Sequence, residues 1–568
     1  MRTLLKTRVL LGSILIAVMV IGSFGCSDDD EPKTKPPEGL VDELRMALDT
    51  EPTTLDPNLA YLSEDWSIIK QLNRGLFWYD EDLKLVPMVA RELPTTKNGG
   101  VSNDGLVYRI KVRNDARWSD GRAITAQDFE YSIKRLLNPL TESETAASFY
   151  DITGAEALNS CVECEDAELA RLESLVGVRA EDEATIAFTL RTRRSSFPFL
   201  LSTAAALPVR EDIVEKYGEA WTEAGNIVSS GPFVLDEWLP GSQIVLKRNP
   251  EWWGTRPALQ TVTIHILPSP NDLYSMYQAG ELDAIVVSPS LQTLVNEFPE
   301  HAKQNRQLPV LASLAYIFNL ETPPFDNADV RKAISMAVDR EAFGGETMAA
   351  VSPGLSWLPP GMPGHNSKRG DQYKFDPEKG RSLLEKAGFE GGKNLAPITY
   401  SYPAENPRAE AAATFLVEQV REHLGIQIAL NPIPRADWLT KLRQGTLSIL
   451  ITGHASEYLD PEGFLRELWT CERYDGRQCG LFAGGNFSHY ANPEFDALML
   501  RAAKEPDAER RIESYADAED VLVNDAPAVF LGYETRSVLV KPYVRNGKHT
   551  PLDWLPFEYF LDKVTIGE

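Results

Sequence analysis

The chain has 568 residues, of which 43% are hydrophobic and 25% are charged, and its formal net charge is −26. This is the composition of a globular protein with enough apolar residues for the cores of two to four domains. So acidic a chain repels nucleic acid and anionic membrane surfaces, and we expect no nucleic-acid partner.

Residues 1–25 have the pattern of an export signal. Arg2, Lys6 and Arg8 form a basic start, and the apolar segment 9–21 that follows is too short to span a bilayer. No other run of 18 apolar residues exists in the sequence. We therefore expect the body of the protein to be exported and not to span the membrane.

Cys26 follows this leader, and Ser23–Cys26 resembles a lipobox, in which the cysteine is lipidated and becomes the new N-terminus. Gly25 fits that motif, whereas Phe24 and Ser23 depart from it. Residues 27–40 are acidic and contain proline, as suits an extended tether. We predict a lipid-anchored protein in the periplasm or on the outer face of the cell membrane; the alternative is plain secretion with a free cysteine.

The first structured segment with a clear pattern is 104–136. Apolar Leu106, Tyr108, Ile110 and Val112 alternate with polar residues, which predicts a strand. A turn follows, and then Thr125 precedes a helical pattern, with an acid three residues later. A threonine cap with an acid in the first turn predicts a helix start.

Several further elements are predicted along the chain. Residues 44–48 form a strand, and two strands flank the turn at Pro240-Gly241. A helix with one apolar face covers 329–340, and another begins at Asp376-Pro377 and ends at Gly388.

Four cysteines remain in the exported part: Cys161, Cys164, Cys471 and Cys479. Export implies an oxidising compartment, so we predict two local disulfides, 161–164 and 471–479, among three possible connectivities. A redox Cys-x-x-Cys site is less favoured because its acidic surroundings disfavour a thiolate. A four-cysteine zinc site is the remaining alternative.

Within the segment 104–136, the order W-S-D-G-x-x-x-T-A-x-D-F-x-x-S resembles the signature of the family 5 extracellular solute-binding proteins. These are the oligopeptide- and dipeptide-binding components of ABC importers. EPTTLDP at 51–57, QAGELD at 278–283 and VKPYV at 540–544 are similar to the same family, the last to its oligopeptide-binding branch. The resemblance covers about 41–560 in collinear order.

The resemblance implies an α/β protein with a two-lobed periplasmic-binding-protein-like fold (type II, cluster C), an extra inserted domain and a hinge. Ligand would be enclosed between the lobes. The implied division is lobe I at 41–78, 206–312 and 531–568, an inserted domain at 79–205, and lobe II at 313–530.

The same resemblance places the ligand site at Gly453–Pro461. The backbone of Gly453, His454 and Ala455 would pair with the main chain of a peptide, and Glu457 would accept its α-ammonium group, beside Tyr458. An enclosed ammonium needs an anionic partner with several acceptor sites. The alternative for Glu457 is a solvated loop acid or a hinge ion pair.

Three further residues come from the resemblance. Ala60–Asp65 would be a second extended segment, with Tyr61 and Ser63 beside the ligand backbone, although ordinary packing is the alternative for Tyr61. Asn486 matches a polar position that lines the cleft in the family.

No enzyme motif is present in the sequence: there is no G-x-S-x-G elbow, no Walker loop and no H-E-x-x-H, and the seven histidines are scattered. We therefore expect no catalysis, no cofactor and no metal site. An exported hydrolase stays an alternative.

The predicted function is capture of short peptides and their delivery to an ABC permease and its ATPase subunits by a monomeric lipoprotein. Two alternatives keep the fold. One changes the cargo to a nickel chelate, glutathione, a murein peptide, an oligosaccharide or an opine-like solute, and the other is a sensory lipoprotein.

Overall fold

A computed structural model describes residues 42–348, 350–470 and 485–567. The strands are β1 Glu43–Leu48, β2 Phe77–Tyr79, β3 Leu85–Pro87, β4 Val107–Lys111, β5 Val178–Asp182, β6 Thr185–Thr189, β7 Phe233–Leu239, β8 Gln243–Arg248, β9 Thr261–Ile266, β10 Ala284–Val287, β11 Asn305–Phe318, β12 Val351–Pro353, β13 Ile398–Pro403, β14 Ile428–Ile433, β15 Ile449–Ala455, β16 Ala528–Val540, β17 Val544–Arg545 and β18 Thr565–Ile566. The helices are α1 Ser63–Leu72, α2 Ala126–Leu137, α3 Ala155–Asn159, α4 Asp166–Ser174, α5 Phe197–Leu200, α6 Glu211–Tyr217, α7 Pro270–Ala279, α8 Pro289–Glu297, α9 Pro299–Gln304, α10 Ala328–Ala337, α11 Arg340–Ala342, α12 Pro377–Lys386, α13 Pro407–Leu424, α14 Arg435–Arg443, α15 Glu462–Trp469, α16 Pro493–Lys504 and α17 Ala508–Asp525.

Lobe I is built on a four-stranded sheet of order β1-β9-β8-β7. β1 pairs in parallel with β9, and β8 is antiparallel to both of its neighbours, β7 and β9. The apolar face of β1 belongs to one core cluster with residues of α1 and of the C-terminal segment. The chain thus leaves this sheet after β1 and returns to it at β7.

The intervening segment has a sheet of its own, of order β4-β6-β5, with α2 packed against it. The predicted strand in 104–113 is β4, and the predicted capped helix is α2. Thr125 is the N-cap, and the carboxylate of Asp128 accepts a hydrogen bond from the Thr125 amide at 2.8 Å. This capping box is the sequence signal that predicted the helix.

A second sheet, of order β10-β16-β11-β15 with β12 added beside β16, joins strands expected in lobe II to β10, which belongs to a segment expected in lobe I. β11 and β16 are the longest strands, with 14 and 13 residues. Their pairing shifts register between Pro309 and Ser313. The ends of β11 and β16 beyond this irregularity pair with each other, and the end of β16 also pairs with β10, which contacts β1 of lobe I. These two strands therefore connect the lobes.

The other predicted elements are confirmed with small shifts of their ends. β7 and β8 form the hairpin around Pro240-Gly241. α10 covers most of the predicted 329–340 helix. α12 begins after Asp376, whose side chain accepts a hydrogen bond from the Lys379 amide at 3.0 Å.

The prediction of an extended segment over Ala60–Asp65 is wrong in its second half, because α1 begins at Ser63. Asp65 explains the early start. Its carboxylate accepts hydrogen bonds from the amide of Leu62 at 3.3 Å and from the amide of Thr53 at 2.6 Å. An acid that satisfies the first amides of a helix fixes where the helix begins.

Cys161 and Cys164 form a disulfide, as predicted, in the loop between α3 and α4. The predicted 471–479 pair and the leader with Cys26 lie outside the described residues. Within the described ranges, no helix is long and apolar enough to cross a membrane.

Candidate functional site

A cleft of about 630 Å³ lies between the two lobes. Lobe I contributes Ser63 and Ser67 of α1, and lobe II contributes Met348 and Arg408. The connecting strand β16 supplies the floor with Glu534, Thr535 and Arg536. The cleft is therefore bounded by both lobes and by a strand that links them.

The strand β15 is an edge of the sheet β10-β16-β11-β15. It pairs with β11 from Ile449 to Ala455, and it has no second partner among the described strands. An edge strand leaves alternate amide and carbonyl groups free on its outer side, where an added strand can pair. Gly453 and Ala455, two of the residues predicted to pair with a ligand, are exposed.

Glu457 lies two residues beyond the end of β15, where it meets a lysine of lobe I. Its Oε1 is 3.4 Å from Lys70 Nζ, and Lys70 Nζ is 3.0 Å from Glu558 Oε1. Lys70 is almost fully buried, with its ammonium group 4.8 Å from the ring centre of Tyr559. One buried cation thus stands between two acids, one from each side of the cleft.

The two acids differ in how well they are satisfied. Glu558 also accepts hydrogen bonds from Ser67 Oγ at 2.7 Å and from the Trp554 amide at 2.9 Å. Glu457 Oε1 is buried and has no hydrogen bond of normal geometry among the described residues. Because Ser67 and Trp554 line the cleft, this cluster lies directly beneath the cleft wall.

Burial sets the protonation of the cluster. Burial raises the pKa of Glu457 above its ordinary value, and Lys70 partly opposes that rise. Burial alone would lower the pKa of Lys70, but Tyr559, Glu558 and Glu457 outweigh it and hold that pKa well above the ordinary value. At neutral pH Lys70 is therefore charged, and Glu457 binds a proton more tightly than an exposed glutamate does.

The remaining predicted residues are placed differently. The His454 ring packs on Trp357 and Phe464, and its Nε2 is 2.7 Å from the carbonyl oxygen of Gly463. Tyr458 is 6% exposed and belongs to the core cluster of the inserted segment. These two side chains are engaged within the protein, so a ligand would meet their backbone only.

Asn486 and Tyr61 also differ in their surroundings. Asn486 is buried, donates to the carbonyl oxygen of Tyr490 at 2.8 Å and accepts from the Ser488 hydroxyl at 2.9 Å. Its amide is thus used within its own turn. Tyr61 is 50% exposed next to the start of α1.

Lys70, Arg408, Glu534 and Arg536 were missed by the sequence reasoning. Lys70 had a signal, because it is a charged residue placed between the apolar positions Ile68-Ile69 and Leu72 of α1. Arg408 and Glu534, which approach to 3.8 Å across the cleft, had none.

A metal centre has no candidate in the part of the chain that the structure describes. No group of three histidine, cysteine, aspartate or glutamate side chains is arranged there to hold an ion.

Comparison with known proteins decides the family. The model of the bacterial extracellular solute-binding proteins, family 5, matches residues 84–476, which is more than half of the chain. The chain belongs to this family. The solute-binding proteins of family 5 bind and do not catalyse, so the alternative of an exported hydrolase is wrong. The two-lobed α/β fold is confirmed.

Individual family 5 relatives resemble the chain over most of its length. The periplasmic oligopeptide-binding protein OppA of Escherichia coli is 27% identical over 98% of both chains. The probable deoxycholate-binding periplasmic protein YgiS of Escherichia coli is 27% identical over 89% of this chain and 91% of its own. The unliganded open form of the periplasmic murein tripeptide-binding protein MppA superposes with a TM-score of 0.75 at 25% identity, over 94% of this chain and 99% of that one.

Proposed function

We propose that this protein captures short peptides in the cleft between its lobes and delivers them to the permease of an ABC importer. The observation that carries the proposal is the free edge of β15, which ends two residues before the buried carboxylate of Glu457. Main-chain pairing with a sheet edge gives an affinity that does not depend on the ligand's side chains.

The charge of the cluster favours a ligand with a cationic end. Glu457 and Glu558 share one lysine, so the three groups carry a net negative charge when both acids are ionised. A peptide α-ammonium next to Glu457 would bring the cluster to neutrality and would donate to a buried oxygen that lacks a normal hydrogen bond.

The opposite end of the ligand is expected to meet arginine. Arg408 has a side chain that is 60% exposed, and its approach to Glu534 is no closer than 3.8 Å. A guanidinium in this state is available to a peptide carboxylate. The ligand is therefore expected to have both a free amino group and a free carboxylate.

Delivery requires the protein to stay near the permease. We infer that Cys26 carries the lipid anchor, that residues 27–40 are the tether, and that the body acts as a monomer. Closure of the two lobes on a peptide would then present both lobes to the permease, whose ATPase subunits drive import.

A different cargo is the second candidate, because one relative is named for deoxycholate and another for murein tripeptide. Mass spectrometry of the ligand released from gently purified protein separates these cargoes. Recovery of bile acid in place of peptide would overturn the proposal. A sensory lipoprotein would bind the same peptides but would not support import into vesicles that hold the permease and ATPase subunits.

Titration calorimetry tests the role of Glu457. Tetra-alanine should bind the wild type about 100-fold more tightly than N-acetyl-tetra-alanine, because acetylation removes the ammonium and leaves Glu457 without a ligand donor. Glu457→Gln should lose a similar factor for tetra-alanine and almost nothing for the acetylated peptide. Glu494→Gln, at an exposed position of α16, is the matched control and should leave both affinities unchanged.

Equal affinity of the wild type for both peptides would remove Glu457 from the site.

A further inference from the structure

A groove of about 700 Å³ lies on the outside of the molecule, where α2 and α4 of the inserted segment come near α6. The 3-10 turns at 139–141 and 218–222 also contribute to it. The groove shares no lining residue with the cleft between the lobes. Leu59 lines it, four residues before Ser63 of the cleft, so a single loop separates the two spaces.

Three acids of this groove lack a cationic partner. Glu173, Glu211 and Glu219 form no ion pair with any residue that the structure describes. Burial raises the pKa of Glu211, and the neighbouring acids Glu215 and Glu173 add to the rise. Carboxylates that raise one another's pKa create a local field that attracts cations.

The two cations of the groove are already held by other acids. Lys134 Nζ lies 2.6 Å from Glu130 Oε1, one turn earlier on α2. Arg135 pairs with Asp56 at 2.5 Å and donates to Asn58 Oδ1 at 2.8 Å. These two side chains therefore leave the three unpaired acids without compensation.

Apolar side chains are exposed in the same groove. Leu140 is 74% exposed and Leu59 is 37% exposed, and the half-buried ring of Tyr131 lies on the lining face of α2. Leucine side chains that face water gain free energy when a partner covers them. The groove thus combines uncompensated negative charge with apolar surface.

This combination selects among possible occupants. Within the described ranges no acids are grouped to hold a metal ion. Nucleic acid and anionic membranes are repelled by a chain of net charge −26. A polyamine matches the charge but covers the leucines poorly. A space of this volume takes a short segment of a protein chain, whose side chains supply both kinds of contact.

We propose that this groove is a docking surface for a partner protein, and that it takes a short segment in which lysine or arginine residues alternate with apolar ones. The cationic groups lie against Glu173, Glu211 and Glu219, and an apolar side chain covers Leu140. This docking is independent of the capture of peptides in the cleft.

Fluorescence anisotropy with a labelled model segment tests the surface. The probe is Lys-Leu-Lys-Leu-Lys-Leu-Lys with the dye on its amino end and an amide at the other, so neither end is charged. Tetra-alanine in excess fills the cleft. The wild type should bind the probe, and raising the salt from about 0.05 M to about 0.5 M should weaken binding ten-fold or more. The same probe with glutamate in place of lysine should not bind.

A triple variant assigns the binding to the groove. Glu173→Gln, Glu211→Gln and Glu219→Gln together should weaken the binding of the probe about ten-fold or more, because the attraction for its cations is lost. The control makes the same change to glutamine at three exposed acids outside the groove: Glu378, Glu385 and Glu390. It should change the affinity for the probe less than three-fold, and both proteins should keep the wild-type affinity for tetra-alanine.

The apolar contact has its own pair of variants. Leu140→Ser should weaken the binding of the probe about five-fold, because the covered leucine is lost. Leu500→Ser is the control at a position of α16 that is 52% exposed and does not line the groove. It should leave the affinity for the probe unchanged.

Three results would overturn the docking surface. Equal weakening in the triple variant and in its control would show that net charge alone attracts the probe. If spermidine displaces the probe at equal concentration and Leu140→Ser has no effect, the groove takes a small polyamine and not a protein segment. Failure of the wild type to bind the probe would refute the surface and leave peptide capture untouched.

Discussion

Lys70 Nζ lies 3.4 Å from Glu457 and joins the acid of lobe II to a helix of lobe I. The lysine is closer to Glu558, at 3.0 Å, so it is held mainly by lobe I and offers Glu457 an incomplete partner. A ligand ammonium would supply the missing part. The hinge ion pair and the ligand acceptor, which the sequence presented as alternatives for Glu457, are compatible in one cluster.

Removal of the lysine charge should destabilise the protein. Lys70→Met leaves two buried carboxylates without their shared cation, and the loss of one partner of a buried ion pair costs about 3–5 kcal/mol. We expect a lower free energy of unfolding at pH 7 in chemical denaturation. The loss should be smaller at pH 5, because the acids can then take up protons.

Lys84→Met is the control for this variant, since Lys84 is 75% exposed and its nearest acid is 4.0 Å away. Its stability should stay within about 0.5 kcal/mol of the wild type. A Lys70→Met protein as stable as this control would show that Lys70 does not hold the two acids.

The affinity for peptides with a free amino group should depend on pH. Burial raises the pKa of Glu457, so its carboxylate takes up a proton at a higher pH than an exposed glutamate does. As the pH falls from 7 through that raised pKa, the negative charge that attracts the ammonium is lost. Below it, affinity should fall by up to about ten-fold per pH unit. Titration calorimetry at several pH values measures this, and N-acetylated peptides should show a flat profile. A fall shared by both peptides would point to another group.

Much of the fold follows from local signals in the sequence. The Asp128 carboxylate sets the start of α2 by accepting from the Thr125 amide, and Asp376 sets the start of α12 by accepting from the Lys379 amide. Such contacts lie within a few residues and can be read from spacing alone. The two-lobed arrangement came from the collinear motifs and not from periodicity.

The site is less predictable because its contacts are distant along the chain. Lys70 and Glu558 are 488 residues apart, and no spacing rule connects them. Tyr458 also shows that the sequence does not reveal which side chains face the ligand. The resemblance placed it beside the ligand, whereas its ring lies in the core of the inserted segment.

The stability of the protein should fall as the pH rises from about 4 to about 8, in part because of Asp553. Burial raises the pKa of Asp553 to about 8, with Glu558 adding to the rise. In the unfolded chain this group ionises near pH 4, so between these values the native state binds the extra proton and stability decreases with increasing pH. Asp553→Asn should flatten the dependence measured by urea unfolding at pH 5, 6.5 and 8.

Other buried acids with a raised pKa, such as Glu519, contribute equally to the wild type and to Asp553→Asn, so the difference between their pH slopes reports on Asp553. Asp82→Asn, at a side chain that is 76% exposed, should keep the wild-type slope. An unchanged slope in Asp553→Asn would mean that Asp553 is ionised in the native protein.

Arg194 connects the inserted segment to lobe II through a buried ion network. Its guanidinium lies 2.9 Å from Glu462 at the start of α15 and 2.9 Å from Asp151, and Arg466 of α15 also pairs with Asp151. The side chains of Arg194, Asp151 and Glu462 are each 6% exposed or less. Arg194→Met should therefore cost about 3–5 kcal/mol, because among the described residues it leaves the more distant Arg466 as the cation paired with Glu462.

Arg191→Met is a matched control three residues away. Arg191 pairs with Glu156 at the same distance of 2.9 Å, but its side chain is 42% exposed, so its loss should cost at most about 1 kcal/mol. Because α15 follows the Glu457 segment directly, Arg194→Met should also weaken the binding of tetra-alanine, whereas Arg191→Met should not. Chemical denaturation and calorimetry of the two variants decide the matter. Equal losses of stability would show that burial adds nothing to this network, and unchanged peptide affinity in Arg194→Met would show that α15 does not position Glu457.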